Sequence, residues 1–242
     1  MMKSVIIAAA LLAAGSVNAA TVTQWNFNSA TPDANTATGS TAPSIGSGTL
    51  SLIGGVTATF ASGSASGGSS DTASSADNTA YNLTAFAAQG AGDKTRGIQF
   101  NVSTLGFQNV SVNYDLRHSN TSSSWEQFQY SLNGTTFTDF TTFNATTGDT
   151  WFNNRTVDLS SIAGANNNAS FAFRVLETFA PGTSTYTAST AGSTYGTTST
   201  WRFDMATVSG TAVAPVPEPT TYAMMLLGLG FMGLVARRKL SA

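Results

Sequence analysis

The densest group of side chains that could act together in catalysis is the run Asp115-Leu116-Arg117-His118. A histidine oriented by a carboxylate can act as a general base, so His118 and Asp115 are the candidate pair for proton transfer. No nucleophile elbow and no metal-ligand spacing accompanies this pair, and the other acidic residues are scattered singly along the chain. We therefore expect no catalytic residues, with Asp115 and Arg117 on a solvated strand face and His118 at a loop mouth.

Composition removes several further classes of function. The 242 residues include no cysteine and one histidine, which excludes thiolate metal sites, cysteine nucleophiles and most zinc centres. Only 9% of the residues are charged, and the formal net charge is −2. A basic surface for nucleic acid is therefore not expected.

Aromatic side chains beside polar loops are the candidates for contact with a glycan. Trp125, Trp151 and Tyr195 occupy such positions, and their rings could stack on the apolar face of a sugar. The chain has 15 Phe, 6 Tyr and 4 Trp, most of which must fill a core. Trp25 and Trp201 are expected there.

Alternating apolar and polar residues indicate that β-strands carry these side chains. The pattern predicts an all-β fold with about nine strands in an antiparallel, jelly-roll-like β-sandwich. Gly54-Gly55 predicts a hairpin between strands at 49–53 and 56–60, and Asn133-Gly134 predicts a second hairpin. The stretches 29–47 and 62–79, rich in Ser, Thr and Gly, are expected to be long surface loops.

Two segments resemble the jelly-roll modules of secreted carbohydrate-binding and laminin-G-like domains. They are the run Phe128-Gln129-Tyr130-Ser131-Leu132-Asn133-Gly134-Thr135-Thr136-Phe137 and the run Trp201-Arg202-Phe203-Asp204. The resemblance implies that Asp204 is a candidate ligand of a structural Ca²⁺, with oxygen atoms from the loop Asn28 to Asp33 completing the site. A hydrogen bond from a neighbouring backbone group or from Arg202 to Asp204 is the alternative. No other cofactor is expected.

The N-terminal segment has the parts of a secretory signal peptide. Lys3 precedes an apolar stretch of about ten residues, and small side chains follow it. Val17 and Ala19 match the −3 and −1 positions, so the predicted signal peptide is 1–19 and cleavage is expected before Ala20.

The C-terminal segment combines a Pro-Glu-Pro step, an uncharged stretch and a basic end. Pro217-Glu218-Pro219 cannot continue a helix backward, so it forms an extended segment. A transmembrane helix over about 220–236 would rise roughly 25 Å, enough for a thin bilayer. Arg237, Arg238 and Lys239 would hold its end at the cytoplasmic side.

This tail resembles a PEP-CTERM sorting signal. The resemblance implies export in a Gram-negative bacterium, recognition of Pro217, Glu218 and Pro219 by an exosortase, and association with exopolysaccharide and biofilm. Arg237, Arg238 and Lys239 match the basic membrane stop of that family. The predicted organisation is thus a signal peptide, an exported β-sandwich at 20–214 and a sorting signal at 215–240.

The resulting expectation is an exported, non-enzymatic protein of the cell surface or matrix. Its precursor would be held transiently in the inner membrane, and its partners would be an exosortase and an exopolysaccharide or other glycan. The alternative is a carbohydrate-binding module that recognises a surface or environmental glycan, and a secreted hydrolase is a remote alternative.

Overall fold

Eleven strands form two antiparallel sheets in the part of the chain that the computed structural model describes, which is residues 19–213, 224–232 and 237. The strands are β1 (Ala19–Trp25), β2 (Gly48–Ile53), β3 (Thr57–Ser62), β4 (Thr79–Thr84), β5 (Gly97–Val102), β6 (Phe107–His118), β7 (Trp125–Ser131), β8 (Thr138–Asn144), β9 (Thr150–Asp158), β10 (Phe171–Glu177) and β11 (Trp201–Ala212).

The two sheets have the strand orders of a sandwich with jelly-roll topology. The six-stranded sheet has the order β3-β4-β11-β6-β9, with β1 also paired to β11, and the five-stranded sheet has the order β2-β5-β10-β7-β8. The strands alternate between the sheets from β4 to β7 and again from β8 to β11, while β7 and β8 are neighbours in the five-stranded sheet, as in a double Greek key. The prediction of an all-β antiparallel sandwich is confirmed, whereas β1 and β4 were not among the predicted strands.

Stacked aromatic rings fill the space between the sheets. In the five-stranded sheet, Phe173 lies between Phe100 and Phe128, with ring centroids 4.7 and 5.6 Å away. Trp25 meets Phe100 edge to face at 4.9 Å, and Trp201 is also fully buried. Both tryptophans lie in the core, as expected, and the aromatic content of the chain is used mainly for this packing.

The predicted hairpin at Gly54-Gly55 is wrong. β2 pairs with β5 in one sheet, whereas β3 pairs with β4 in the other, so the glycines carry the chain across the sandwich. Gly54 has φ of +74°, and a Cβ there would overlap the carbonyl oxygen of Thr95. The position therefore needs glycine for a close crossing, and sequence alone does not distinguish that use from a tight turn.

The predicted hairpin at Asn133-Gly134 is confirmed, although its loop is longer than two residues. β7 and β8 pair with each other, and the loop covers 132–137. The Asn133 side-chain oxygen accepts hydrogen bonds from the backbone N–H groups of Thr135 and Thr136, at 3.0 and 2.8 Å. This Asx turn sets the bend, and Phe137 lies in the loop.

The loop between β3 and β4 covers the outer face of the six-stranded sheet. Trp151 Nε1 donates to the carbonyl oxygen of Ala65 at 2.8 Å, and Arg117 Nε donates to Ser66 Oγ at 3.2 Å. As a result Asp115 and Arg117 are buried. Their predicted position on a solvated strand face is wrong, because this Ser- and Gly-rich loop packs on the sheet.

The chain divides into two compact units, one ending at Ala212 and one beginning at Val213. In the second unit, residues 224–232 are helical. Among the described residues, no helix has both the length and the apolar character needed to cross a membrane. The remainder of the helix predicted at 220–236, and residues 1–18 of the predicted signal peptide, lie outside the described residues.

Candidate functional site

His118 is the last residue of β6, where a loop begins, but its side chain is enclosed in the sandwich. Its side chain is 0% exposed, with Nδ1 2.8 Å from the carbonyl oxygen of Ser123 and Nε2 3.8 Å from Glu126 Oε1. Its ring packs edge to face on Trp201 and Phe152. The expected position at the strand end is therefore confirmed, but the buried side chain is not accessible to a substrate. Asp115 lies on the opposite side of β6 and does not orient it.

Asp115 and Asp204 lie side by side under the loop that follows β3. The two residues are direct partners in the pairing of β6 with β11, and both are almost completely buried. Side chains of directly opposite strand residues point to the same face, where two like charges repel. Burial raises the pKa of Asp204 well above its usual range; hydrogen bonds from Ser69 and Met205 oppose the shift, and Asp71 and Asp115 add to it.

Hydrogen bonds from the loop and from residues of β9 and β11 reach this acidic pair. Asp204 Oδ2 accepts from Ser69 Oγ at 2.6 Å, and Asp204 Oδ1 accepts from the Met205 N–H at 2.8 Å. Asp115 accepts from the backbone N–H groups of Ser70 and Asn154, at 2.5 and 2.7 Å. No cationic side chain forms an ion pair with either carboxylate among the described residues.

Asn78 supplies a further oxygen atom that has no hydrogen-bond partner. Its side chain is 2% exposed, and its Nδ2 donates to Ser69 Oγ at 3.2 Å, while Oδ1 lacks a partner. A Cβ on Gly63 would overlap Asn78 Oδ1 and would lie 2.9 Å from Asp204 Oδ2. Buried acceptors normally have partners. An amide oxygen without a hydrogen-bond partner, next to a buried carboxylate, provides the kind of oxygen ligands that a hard cation such as Ca²⁺ binds.

Asp33, at the far end of the loop predicted to complete a Ca²⁺ site, lies apart from Asp204. Asp33 accepts hydrogen bonds within its own loop, from Ser29, Thr38 and Asn35, so it does not join Asp204. No group of three or more Asp, Glu or His side chains is placed to hold a metal among the described residues. A Ca²⁺ ion at this position would be held by Asp204, Asp115 and Asn78 together with backbone or water oxygens. The ion would neutralise the two adjacent carboxylates.

A second pair of carboxylates lies inside the sandwich. Glu126 and Glu177 are direct partners in the pairing of β7 with β10, and both are 0% exposed. Arg155 Nε lies 2.5 Å from Glu126 Oε1, whereas Glu177 accepts hydrogen bonds from the Ala87 N–H and Tyr195 Oη, at 2.6 and 2.7 Å. Burial raises the pKa of Glu177 to about 7, and its two hydrogen bonds partly oppose the shift.

Of the three candidate glycan contacts, Trp125 has the most accessible ring. It is half-buried and lines a cleft of about 190 Å³ together with Asn144, Thr146, Thr187 and hydroxyl-bearing neighbours. Trp151 and Tyr195 are each 8% exposed.

Trp151 and Tyr195 have structural contacts instead of an open ring face. Trp151 lies under Ala65, and Tyr195 stacks on Tyr186 with ring centroids 4.7 Å apart while it donates to Glu177. Both rings are thus largely covered by protein, and their contact with a glycan stays a prediction. Sequence reasoning did not identify Asn78 or Glu177, because only strand register and loop packing bring them to charged neighbours.

The residues of the predicted sorting signal lie mainly outside the described part of the chain. This applies to Val17, to Pro217-Glu218-Pro219, and to Arg238 and Lys239; Arg237 is described. Ala19 and Ala20, which flank the predicted signal cleavage, begin β1 and pair with Thr211 and Gly210.

A model of the PEP-CTERM protein-sorting motif matches residues 215–239. The chain thus carries this sorting motif at the positions expected from its sequence, and the motif indicates an exported precursor that is processed at the cell surface. No curated protein matches the chain in sequence.

Three solved structures of low identity share part of the fold. The N-terminal CBM22-1–CBM22-2 tandem domain of Xyn10C from Paenibacillus barcinonensis has 10% identity and a TM-score of 0.44, over 86% of this chain and 50% of that one. The present chain therefore spans half of that protein. The K2 cleaved adhesin domain of Lys-gingipain has 13% identity and a TM-score of 0.39, over 79% and 97% of the chains. The K1 domain of Lys-gingipain from Porphyromonas gingivalis W83 has 16% identity and a TM-score of 0.34, over 70% and 100%.

Calcium should stabilise the β-sandwich through Asp204, Asp115 and Asn78. We expect Ca²⁺ to raise the Tm of the purified full chain in detergent by several degrees, since a ligand at 100 times its Kd contributes about 2.7 kcal/mol. Asp204→Asn and Asn78→Ala should abolish this increase, whereas Asp33→Asn should retain it. An unchanged wild-type Tm, together with no heat of Ca²⁺ binding in calorimetry, would exclude the site.

Glu177 should make the protein less stable as the pH rises from about 4.5 to about 7. In this range the folded protein keeps a proton that the unfolded chain has lost, so the free energy of unfolding falls with increasing pH, by up to about 3 kcal/mol. Glu177→Gln should flatten this dependence in urea unfolding at constant Ca²⁺. Asp158→Asn is the control, because hydrogen bonds with Ser160 hold the pKa of that carboxyl below its usual value. An unchanged slope in Glu177→Gln would contradict the assignment.

Proposed function

We propose that the protein is an exported, non-enzymatic component of the cell surface or matrix. Its signal peptide would be removed before Ala20, and its precursor would be held in the inner membrane by residues 220–236. An exosortase would then process it at Pro217-Glu218-Pro219, and the β-sandwich would be released or attached outside the cell, where it would contribute to an exopolysaccharide or biofilm matrix. The match of the PEP-CTERM motif to residues 215–239 carries this proposal.

The position of the chain ends in the sheet supports processing on both sides of the folded body. Ala19 is the partner of Thr211, and the last residue of β11 is Ala212, five residues before Pro217. The proposed N-terminal cleavage, before Ala20, follows the first residue of β1, and Pro217 comes five residues after the last residue of β11. Removal of the two terminal segments would therefore cost this strand pairing only its Ala19–Thr211 pair, because the other paired residues lie between the two cleavage positions.

Replacing Pro217-Glu218-Pro219 by alanines should prevent C-terminal processing. For the wild type in its host, we expect an intact mass that begins at Ala20 and ends near Pro219; any additional mass at the new C-terminus identifies the attachment. The alanine variant should stay unprocessed in the inner membrane. Replacement of Thr220-Thr221 by alanines is a matched control that leaves the motif intact. If the wild type retains Arg237-Arg238-Lys239 and stays in the membrane, the tail is a simple anchor and the proposal fails.

Binding of a glycan through Trp125 is the second candidate function. It is supported by the half-buried indole in a cleft that is also lined by Ser124, Ser189, Thr187 and Asn144. An aromatic face with neighbouring hydroxyl and amide groups can pack on a sugar ring and bond its hydroxyls. A hydrolase has no comparable support, because His118 is enclosed and Asp115 accepts hydrogen bonds from two backbone N–H groups.

Trp125→Ala should reduce retention of the protein on the polysaccharide of its host at least tenfold, because it removes the ring that lines the cleft. Phe140→Ala is the control, since Phe140 is a partly exposed aromatic residue that stacks edge to face on Tyr130 and lies outside the cleft. Retention is measured by co-sedimentation, with release of reducing ends followed in the same samples. Equal retention of the variant and the wild type would exclude the cleft, and release of reducing ends would contradict the non-enzymatic assignment.

A further inference from the structure

A row of polar side chains crosses all five strands on the outer face of the five-stranded sheet. Arg174 of β10 is the direct partner of Gln99 on β5 and of Gln129 on β7. Gln99 is in turn the partner of Ser51, and Gln129 is the partner of Asp139. Direct partners in antiparallel strands share a face. We call Ser51, Gln99, Arg174, Gln129 and Asp139 the outer row.

The outer row points away from the core, because the residues next to it along the strands point inward. Phe100 follows Gln99, and Phe173 precedes Arg174; both phenylalanines are fully buried between the sheets. Successive strand residues face opposite sides. The outer row therefore lies on the side of the five-stranded sheet that no other sheet covers.

Arg174 is held in one orientation with part of its guanidinium group unused. Its Nε donates to Gln99 Oε1 at 2.7 Å, and its Cζ lies 3.6 Å from the centre of the Phe137 ring. Within the described residues, Nη1 and Nη2 of Arg174 have no hydrogen-bond partner and the group forms no ion pair. A planar guanidinium fixed on an aromatic ring, with free N–H groups, is preorganised to bind a carboxylate.

The other charges of the outer row are already neutralised. Asp139 Oδ2 lies 2.5 Å from Lys94 Nζ, and Asp139 Oδ1 accepts from Gln129 Nε2 at 2.7 Å. Gln129 Oε1 is buried and has no hydrogen-bond partner among the described residues. The row thus offers one uncompensated positive charge, at Arg174. A single positive charge suits a singly charged anionic group, and the row lacks the several cations that a phosphate cluster would need.

A chain of hydrogen bonds connects the outer row to a polar cleft. Gln99 Nε2 donates to Asn101 Oδ1 at 2.8 Å, and Asn101 Nδ2 donates to Thr49 Oγ1 at 3.3 Å. Thr49 and Asn101 line a cleft of about 430 Å³, whose wall also includes Asn133 and Ser170. Amide and hydroxyl groups of this kind bond sugar hydroxyls, and the volume is in the range of small-molecule sites.

We propose that the outer face of the five-stranded sheet binds a polysaccharide that contains uronic acid residues. One uronate carboxylate would accept from Nη1 and Nη2 of Arg174, and a neighbouring sugar would occupy the cleft beside Thr49 and Asn101. This surface is separate from the Trp125 cleft, and its binding does not depend on how the tail is processed.

The test uses the purified full chain in detergent with polygalacturonate as the probe, at a fixed Ca²⁺ concentration. Fully methyl-esterified polygalacturonate is the matched ligand, because it keeps the sugar backbone and removes the carboxylate charge. We expect the wild type to bind the acid form at least tenfold more tightly than the ester in titration calorimetry. Equal binding of the two polymers, or no binding of the acid form, would overturn the proposal.

Variants assign the binding to Arg174. Arg174→Gln should weaken binding of the acid form at least tenfold, and Phe137→Ala should weaken it less, because the charge remains while its support is lost. Arg202→Gln removes the same charge from the other sheet, and Trp125→Ala removes the other candidate site; both should bind like the wild type. Folding of each variant is verified by its thermal melting curve. If Arg174→Gln is folded and binds like the wild type, or if Trp125→Ala abolishes binding, the proposed surface is wrong.

Discussion

The pairing of the last strand, β11, with three other strands is the constraint on which the structure of the β-sandwich depends. β6 lies along one side of β11, while β4 and β1 share its other side. Because β1 begins at Ala19 and β11 ends at Ala212, the centre of the six-stranded sheet joins opposite ends of the body. Such non-local pairing is slow to form. The same strand holds Trp201 in the core and Asp204 beside Asp115, and the chain leaves it only a few residues before Pro217.

The chain has few charged residues, and short hydroxyl side chains and backbone groups cover part of its sheets instead. Ser69 bonds Asp204, and Ser66 bonds Arg117, both from the loop that crosses the outer face of the six-stranded sheet. Small side chains let that loop approach the sheet closely enough to bury two carboxylates. Desolvation of a charged carboxylate is costly, and burial accordingly raises the pKa of Asp204; protonation and a bound cation are the two ways to remove this cost.

The two proposed glycan surfaces lie at different places on the sandwich. Trp125 is near the end where β6 finishes and β11 begins, whereas the chain leaves β11 at the other end, beside Phe107. The outer row lies across the middle of the five-stranded sheet. Trp125 offers an apolar ring face for a neutral sugar, while Arg174 offers charge-assisted hydrogen bonds to an acidic one. A surface protein with both could contact a mixed matrix at more than one position.

The sequence alone determined the fold class, the second hairpin and the sorting motif, because each of these is written in local patterns. Alternation predicts strands, Asn133-Gly134 predicts a turn, and Pro217-Glu218-Pro219 with its basic end forms a contiguous signal. Tertiary structure alone decided that Gly54 crosses between sheets, that the loop after β3 buries Asp115, and that Trp151 and Tyr195 are enclosed. It also decided the outer row, in which residues from five strands become neighbours. Those outcomes depend on which strands pair and in what register, and that choice is made by packing between segments far apart in the chain.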